Sequence, residues 1–181
     1  MHPTPTPCPL GPRSARGVHL TELLVVIAVL AVLLAASWPA LQPLLLRQRA
    51  DALQLTLHAS LSGARSEALR RRELIGLCAS VDGLRCSDDW SAGWIIYRSG
   101  DQRREPESPE AILSNHTGRS DISILARASS GRPRLFFQAD GRSPGANLTL
   151  RICAGRQLHG KLVVNNGGRT RSERSNRNLP C

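Results

Sequence analysis

The chain has 181 residues, with 24 Lys+Arg against 14 Asp+Glu, a formal net charge of +10. That length holds one ordinary domain plus an appendage and leaves little room for two full domains, and an apolar content of 41% supports a modest core and argues against wholesale disorder. Charge alone leaves three classes open: an enzyme of acidic substrates, a nucleic-acid binder and a membrane-surface protein.

Residues 1–16 contain five prolines and no helical period, so this stretch is expected to be unstructured. From 23 to 46 there is no formal charge, and 23–36 is made only of Leu, Val, Ile and Ala. At ~1.5 Å per residue, such a helix reaches about 36 Å, enough to cross a hydrocarbon core. Arg13 and Arg16 lie just upstream, so the positive-inside bias places the N-terminus in the cytoplasm and the remainder outside. A plain secretory signal fits less well. The apolar run is long for one, and Ala35, Ala36 and Ser37 make a weak cleavage site. Glu22, at the front of the run, is the sharper objection. A carboxylate costs about 2.5–3.5 kcal/mol at the membrane centre and less at its edge, so it usually needs a partner.

The stretch from Gly17 and Val18 through His19, Leu20, Thr21 and Glu22 into the apolar run resembles the prepilin signal of type IV pilins and type II secretion pseudopilins. That signal has a glycine before the scissile bond and a glutamate five residues after it. The chain departs from it in having Val18 where phenylalanine is usual, His19 for the usual threonine, and a long leader. The resemblance implies removal of residues 1–17 by a prepilin peptidase and methylation of the new amino terminus at Val18. It also implies that Glu22 neutralises the terminal amine of a neighbouring subunit in a helical fibre. Pro39 and Pro43 fall where pilin stem helices commonly kink, and proline kinks a helix by removing a donor.

Leu46, Ala50, Leu53, Leu57, Leu61, Ala64 and Ala68 recur at helical spacing, one stripe of an amphipathic helix over 47–72. Arg70, Arg71 and Arg72 suit the negative end of that helix and read as a solvated terminus. Beyond it the period changes. Runs at 74–79, 93–98, 121–126, 134–138, 148–153 and 161–164 read as antiparallel strands, and 99–109 and 139–147 read as loops. The expected fold is α+β and type IV pilin-like: a long N-terminal helix, kinked near Pro39/Pro43, packed on an antiparallel head over 73–164.

Of the five cysteines, Cys8 lies in the leader, and removing the leader leaves an even number. Four cysteines allow three pairings. Cys78 and Cys86 flank a short loop and are natural partners; Cys153 and Cys181 would then tie the last residue to a strand end. Export behind the anchor puts all four in an oxidising compartment. Metal binding is the rival, but no CxxC or close Cys/His spacing supports it, and no metal or cofactor is expected.

Residues 165–181 carry Arg169, Arg171, Arg174 and Arg177 against one acid, Glu173. The composition predicts an exposed basic loop, closed by Cys181, that could track the phosphates of a nucleic-acid backbone. With six aromatics in the whole chain, a base-stacking platform for single strands is not expected, so sequence-independent contact with double-stranded DNA fits better. Gly168, Arg169, Thr170 and Arg171 are similar to the GRxR motif of FimT-type minor pilins. Trp90, the 93–97 strand, Phe136, Phe137, Asp140 and Gly141 also resemble the FimT/GspH group. The resemblance implies DNA binding during natural transformation, with Arg169 and Arg171 as main contacts and Arg174, Arg177 and Lys161 adding attraction. It further implies other pilins as partners, the inner membrane as anchor before assembly and a pilus at the cell surface as destination. The alternative is a structural minor pilin, or a GspH-like pseudopilin of type II secretion, that never touches DNA. No enzyme motif is present: neither G-x-S-x-G, H-E-x-x-H, Walker A nor a Rossmann fingerprint occurs, and the histidines are scattered. From Arg142 onward, seven Arg and Lys161 face Glu173 alone, so most of the positive charge lies in the last 40 residues.

Overall fold

The computed structural model describes residues 19–100, 105–129, 131–145, 147–175 and 179–181. Helix α1 spans Leu20–Arg71, with Pro39 and Pro43 inside it. The chain divides into two units, Met1–Leu41 and Gln42–Cys181. In the first, every described side chain is exposed, and the helix is long and apolar enough to cross a membrane. An apolar surface with nothing on it is what the bilayer or a bundle of like helices would cover. Glu22 lies in its first turn, exposed.

In the second unit, Ala50, Leu53, Leu57, Leu61, Ala64 and Ala68 are buried and Leu46 partly so, as the helical spacing requires. The helix stops where Arg72 enters the left-handed region at φ 56°, a common helix exit. Glu67 collects Arg70 and Arg71 at 2.6 Å each, and these two guanidinium groups hold its carboxyl below the usual range.

Two four-stranded antiparallel sheets follow. The first has the order β3-β2-β1-β5, built from β1 (Ile75–Ala79), β2 (Gly93–Arg98), β3 (Ile112–Thr117) and β5 (Leu135–Phe137). The second has the order β4-β6-β7-β8, built from β4 (Ile122–Ala128), β6 (Leu148–Ala154), β7 (Gln157–Val164) and β8 (Thr170–Arg174). One hydrophobic cluster joins the helix stripe to the inner faces of both sheets, with Trp90, Trp94 and Phe137 among its fully buried members.

All of β1 and the first five residues of β2 are buried, which explains their unbroken apolar runs: both faces are covered. On the face away from the main cluster, Cys78, Ile95 and Tyr97 pack with Cys86, Ile112 and Phe136. The disulfide Cys78–Cys86 closes the loop that lies there. The Tyr97 hydroxyl sits 3.7 Å from Cys86 Sγ, and burial pushes the phenol well above its ordinary range. The neutral phenol is therefore favoured in the native head, while the unfolded chain ionises near pH 10. Stability contributed by this group is fully present below that pH and is lost progressively as pH rises above it toward the raised native value. Tyr97 is the sole tyrosine, so phenolate absorbance in an alkaline titration reports it alone. The expected outcome is no phenolate signal until the head unfolds; a reversible titration of the folded head near pH 10 would contradict this burial.

Two strands depart from the sequence expectation. β3 falls within a stretch not assigned as a strand, and β8 forms inside residues 165–181, which were expected to be a loop. Both are edge strands with one neighbour each, β2 and β7. Their polar residues follow from that position. β7 also starts earlier than expected, at Gln157.

Candidate nucleic-acid interface at the β7–β8 hairpin

β7 and β8 pair in register from Val164↔Thr170 to Gly160↔Arg174. The connection is a tight turn: Gly168 N donates to Asn165 O at 2.8 Å, and Arg169 N donates to Asn165 Oδ1 at 3.1 Å. Gly168 has φ 72°, and a Cβ placed on it would collide with the carbonyl oxygen of Gly141. Glycine is needed here twice over, for the left-handed backbone and for the close approach. That same carbonyl accepts Arg65 Nε at 2.9 Å, and Ser143 N donates to Asn166 O at 3.0 Å. The turn is thereby docked on the helix and on the neighbouring turn. Gly168→Ala should destabilise the head by about 2 kcal/mol through backbone strain and displacement of that contact. Denaturant melts check this; an unchanged midpoint would show that the turn tolerates a side chain.

The strand itself is riveted to α1. Buried Gln54 donates through Nε2 to Ser172 Oγ at 2.8 Å and to Glu173 O at 3.3 Å. Gly160, opposite, leaves room for the Gln54 amide, which a Cβ there would strike. Asp51 Oδ1 receives both Arg174 Nη2 and His159 Nε2 at 2.9 Å. His159 reaches it from the irregularity where β7 slips against β6: Ile152 faces Gly160 and Cys153 faces Leu158, which leaves His159 over. The sequence reading missed Gln54, Asp51 and His159 as parts of this site. Gln54 inside an apolar helix stripe was the available signal, since a buried amide requires partners.

The predicted cations fall into distinct groups. Arg169 stands at the turn and Arg171 on β8, both exposed, with no carboxylate paired to either among the described residues. Arg174, expected to attract DNA, is held instead by Asp51. Lys161 on β7 pairs with Glu173 at 3.0 Å, which the cross-strand register puts directly opposite. Arg177, Gly17 and Val18 lie outside the described residues.

Cys153 is disulfide-bonded to Cys181. The chain end runs beside the start of β7, with Leu158 N donating to Leu179 O at 2.9 Å and Cys181 N to Arg156 O at 3.1 Å. Arg151 Nη2 donates to Pro180 O at 3.2 Å. The hairpin is therefore bounded on one side by the chain's own terminus.

Residues 55–168 match the family model described as type II transport protein GspH. The pilin-like protein PilA1 of Thermus thermophilus is 27% identical over 163 residues, covering 87% of this chain and 98% of that one. The crystal structure of the type IV minor pilin FimU of Pseudomonas aeruginosa superposes with a TM-score of 0.56 at 26% identity, covering 72% of this chain and 92% of FimU. The minor pseudopilin EpsH of the Vibrio cholerae type 2 secretion system shares the fold, with a TM-score of 0.51 at 14% identity over 71% of this chain and 99% of EpsH. The arrangement of one long helix on antiparallel sheets is that of type IV pilins, structural proteins without enzymatic activity, and their apolar N-terminal helix anchors them in a membrane and assembles into fibres with other pilins. The chain belongs to the GspH family and is a minor pilin or pseudopilin of a type IV pilus or type II secretion system.

Proposed function

We propose that this pilin captures double-stranded DNA, without regard to sequence, through the β7–β8 hairpin, for uptake in natural transformation. The supporting observation is the state of Arg169 and Arg171: two exposed guanidinium groups without carboxylate partners among the described residues, on a hairpin held rigid by Gly168, Gln54 and Asp51. Most of the ordering cost of a phosphate site is then met by folding, before DNA arrives. Arginine forks match phosphate oxygens in pairs, and contacts of this kind position a duplex without reading bases. Processing follows the prepilin signal: cleavage between Gly17 and Val18 by a prepilin peptidase and methylation of Val18. Glu22 then neutralises the amine of a neighbouring subunit. Before assembly the chain spans the inner membrane with its head in the periplasm; afterwards it sits in or at the tip of the fibre.

The test is a chromosomal Arg169→Ala/Arg171→Ala variant, scored both for transformants and for surface fibres or secretion. Transformation should fall steeply while assembly is unchanged. Equal transformation by the variant, with assembly intact, would make the chain a purely structural minor pilin or a pseudopilin.

A further inference from the structure

The register of the second sheet fixes which side chains share its outer face. Arg127 on β4, Thr149 on β6, Val163 on β7 and Arg171 on β8 form one cross-strand row. Leu125, Arg151, Lys161 and Glu173 form the next. The alternate residues, among them Ile122, Ile124, Leu148, Leu150, Leu162 and Val164, are buried on the core side, so these two rows face solvent. The rows hold four cations and one carboxylate. That carboxylate, Glu173, is spent on Lys161. Arg151 braces the chain terminus through Pro180 O. Arg127 is exposed and has no carboxylate partner among the described residues.

Resting on the hairpin reading above, we propose that DNA contact does not end at β8 but continues across the outer face of the second sheet, with Arg127 as a further phosphate contact at its far edge. Strands in a sheet are about 4.8 Å apart, so the three steps from β8 to β4 carry Arg127 about 14 Å from Arg171. That is roughly four base-pair steps of axial rise, within reach of a second group of phosphates on the same duplex. Thr149 and Val163, which lie between the two arginines, are short enough to let the backbone pass. No Phe, Trp or Tyr belongs to these four strands, and the one imidazole, His159, is turned to Asp51 on the helix, which favours a duplex read by its phosphates over a stacked single strand. Glu173 is the one repulsive group on the face. It limits affinity by occupying Lys161 and by opposing the phosphates directly.

The full chain in detergent micelles, titrated into a labelled random-sequence duplex over a salt series, tests this. Arg127→Gln should weaken binding by about threefold to tenfold at low salt and flatten the log K against log salt slope by about 0.9, the loss of one phosphate contact. Arg127→Lys should retain the slope, because a point charge suffices for a phosphate. Glu173→Gln should tighten binding and steepen the slope. Arg85→Gln removes the same charge from the loop closed by Cys78–Cys86, outside this face, and should leave binding unchanged. If Arg169→Ala/Arg171→Ala weakens binding but Arg127→Gln does not, the sheet-face surface is wrong and the hairpin reading stands. If Arg85→Gln weakens binding as much as Arg127→Gln, net charge explains the effect and the surface is again wrong. If the unaltered chain binds no duplex at low salt, both readings fall together.

Discussion

Replacing Arg169 and Arg171 with alanine should lower affinity for duplex DNA by on the order of a hundredfold at low salt, with no change in the melting midpoint of the head. Two charge-assisted contacts to phosphate are lost, and neither side chain supports the fold: both are exposed and no carboxylate depends on them among the described residues. The log K against log salt slope should flatten by about 1.8, because two fewer counterions are released. Arg174→Ala should behave in the opposite way. Its guanidinium is tied to Asp51 on the helix, so its loss leaves Asp51 with His159 alone, loosening β8 against α1 more than it removes a phosphate contact. A binding loss at Arg174 equal to that of the double variant would show that the Asp51 pair opens when DNA arrives.

Removing the Cys153–Cys181 disulfide should produce the larger stability effect of the two cross-links. It spans 28 residues of sequence and Cys78–Cys86 spans 8. In the chain-entropy model those loops correspond to about 3.5 and about 2.5 kcal/mol respectively. Cys153→Ser/Cys181→Ser should therefore lower the denaturant midpoint more than Cys78→Ser/Cys86→Ser. The affinity for DNA should change little, since the hairpin keeps its own fastenings through Gln54, Asp51 and the Gly168–Gly141 contact. If the 153–181 variant unfolds no more easily than the 78–86 variant, the terminal strap is not a major restraint. If it keeps its stability but loses DNA, the strap and not the hairpin orders the site.

How far the residues alone disclose this structure depends on where each element sits in it. The stem and the core are legible because burial imposes a period: the alanine and leucine stripe of α1 faces the cluster, β1 and β2 read as apolar runs because both their faces are covered, and β6 alternates because only one of its faces is. β3 and β8 are not legible for the same reason in reverse. An edge strand takes its backbone partners from one side and its side chains from solvent, so Ser114, Asn115 and His116, or Arg171, Ser172 and Glu173, carry no apolar alternation. The motif Gly168–Arg171 is visible in the sequence, but its rigidity is not. That comes from Gly141, Arg65 and Gln54, which are far from it in the chain and meet it only in the fold. The pairing of Arg174 with Asp51 is hidden in the same way. A list of arginines overstates the available charge until the fold shows which are already neutralised.

The most direct measurement of the central claim is a salt titration of binding between the unaltered full chain in detergent and duplexes of unrelated sequence. A phosphate site built on Arg169 and Arg171 predicts a linear fall of log K with log salt, a slope of about −1.8 or steeper, and equal competition by every duplex. Absence of binding at low salt, or a strong preference for one sequence, would contradict it.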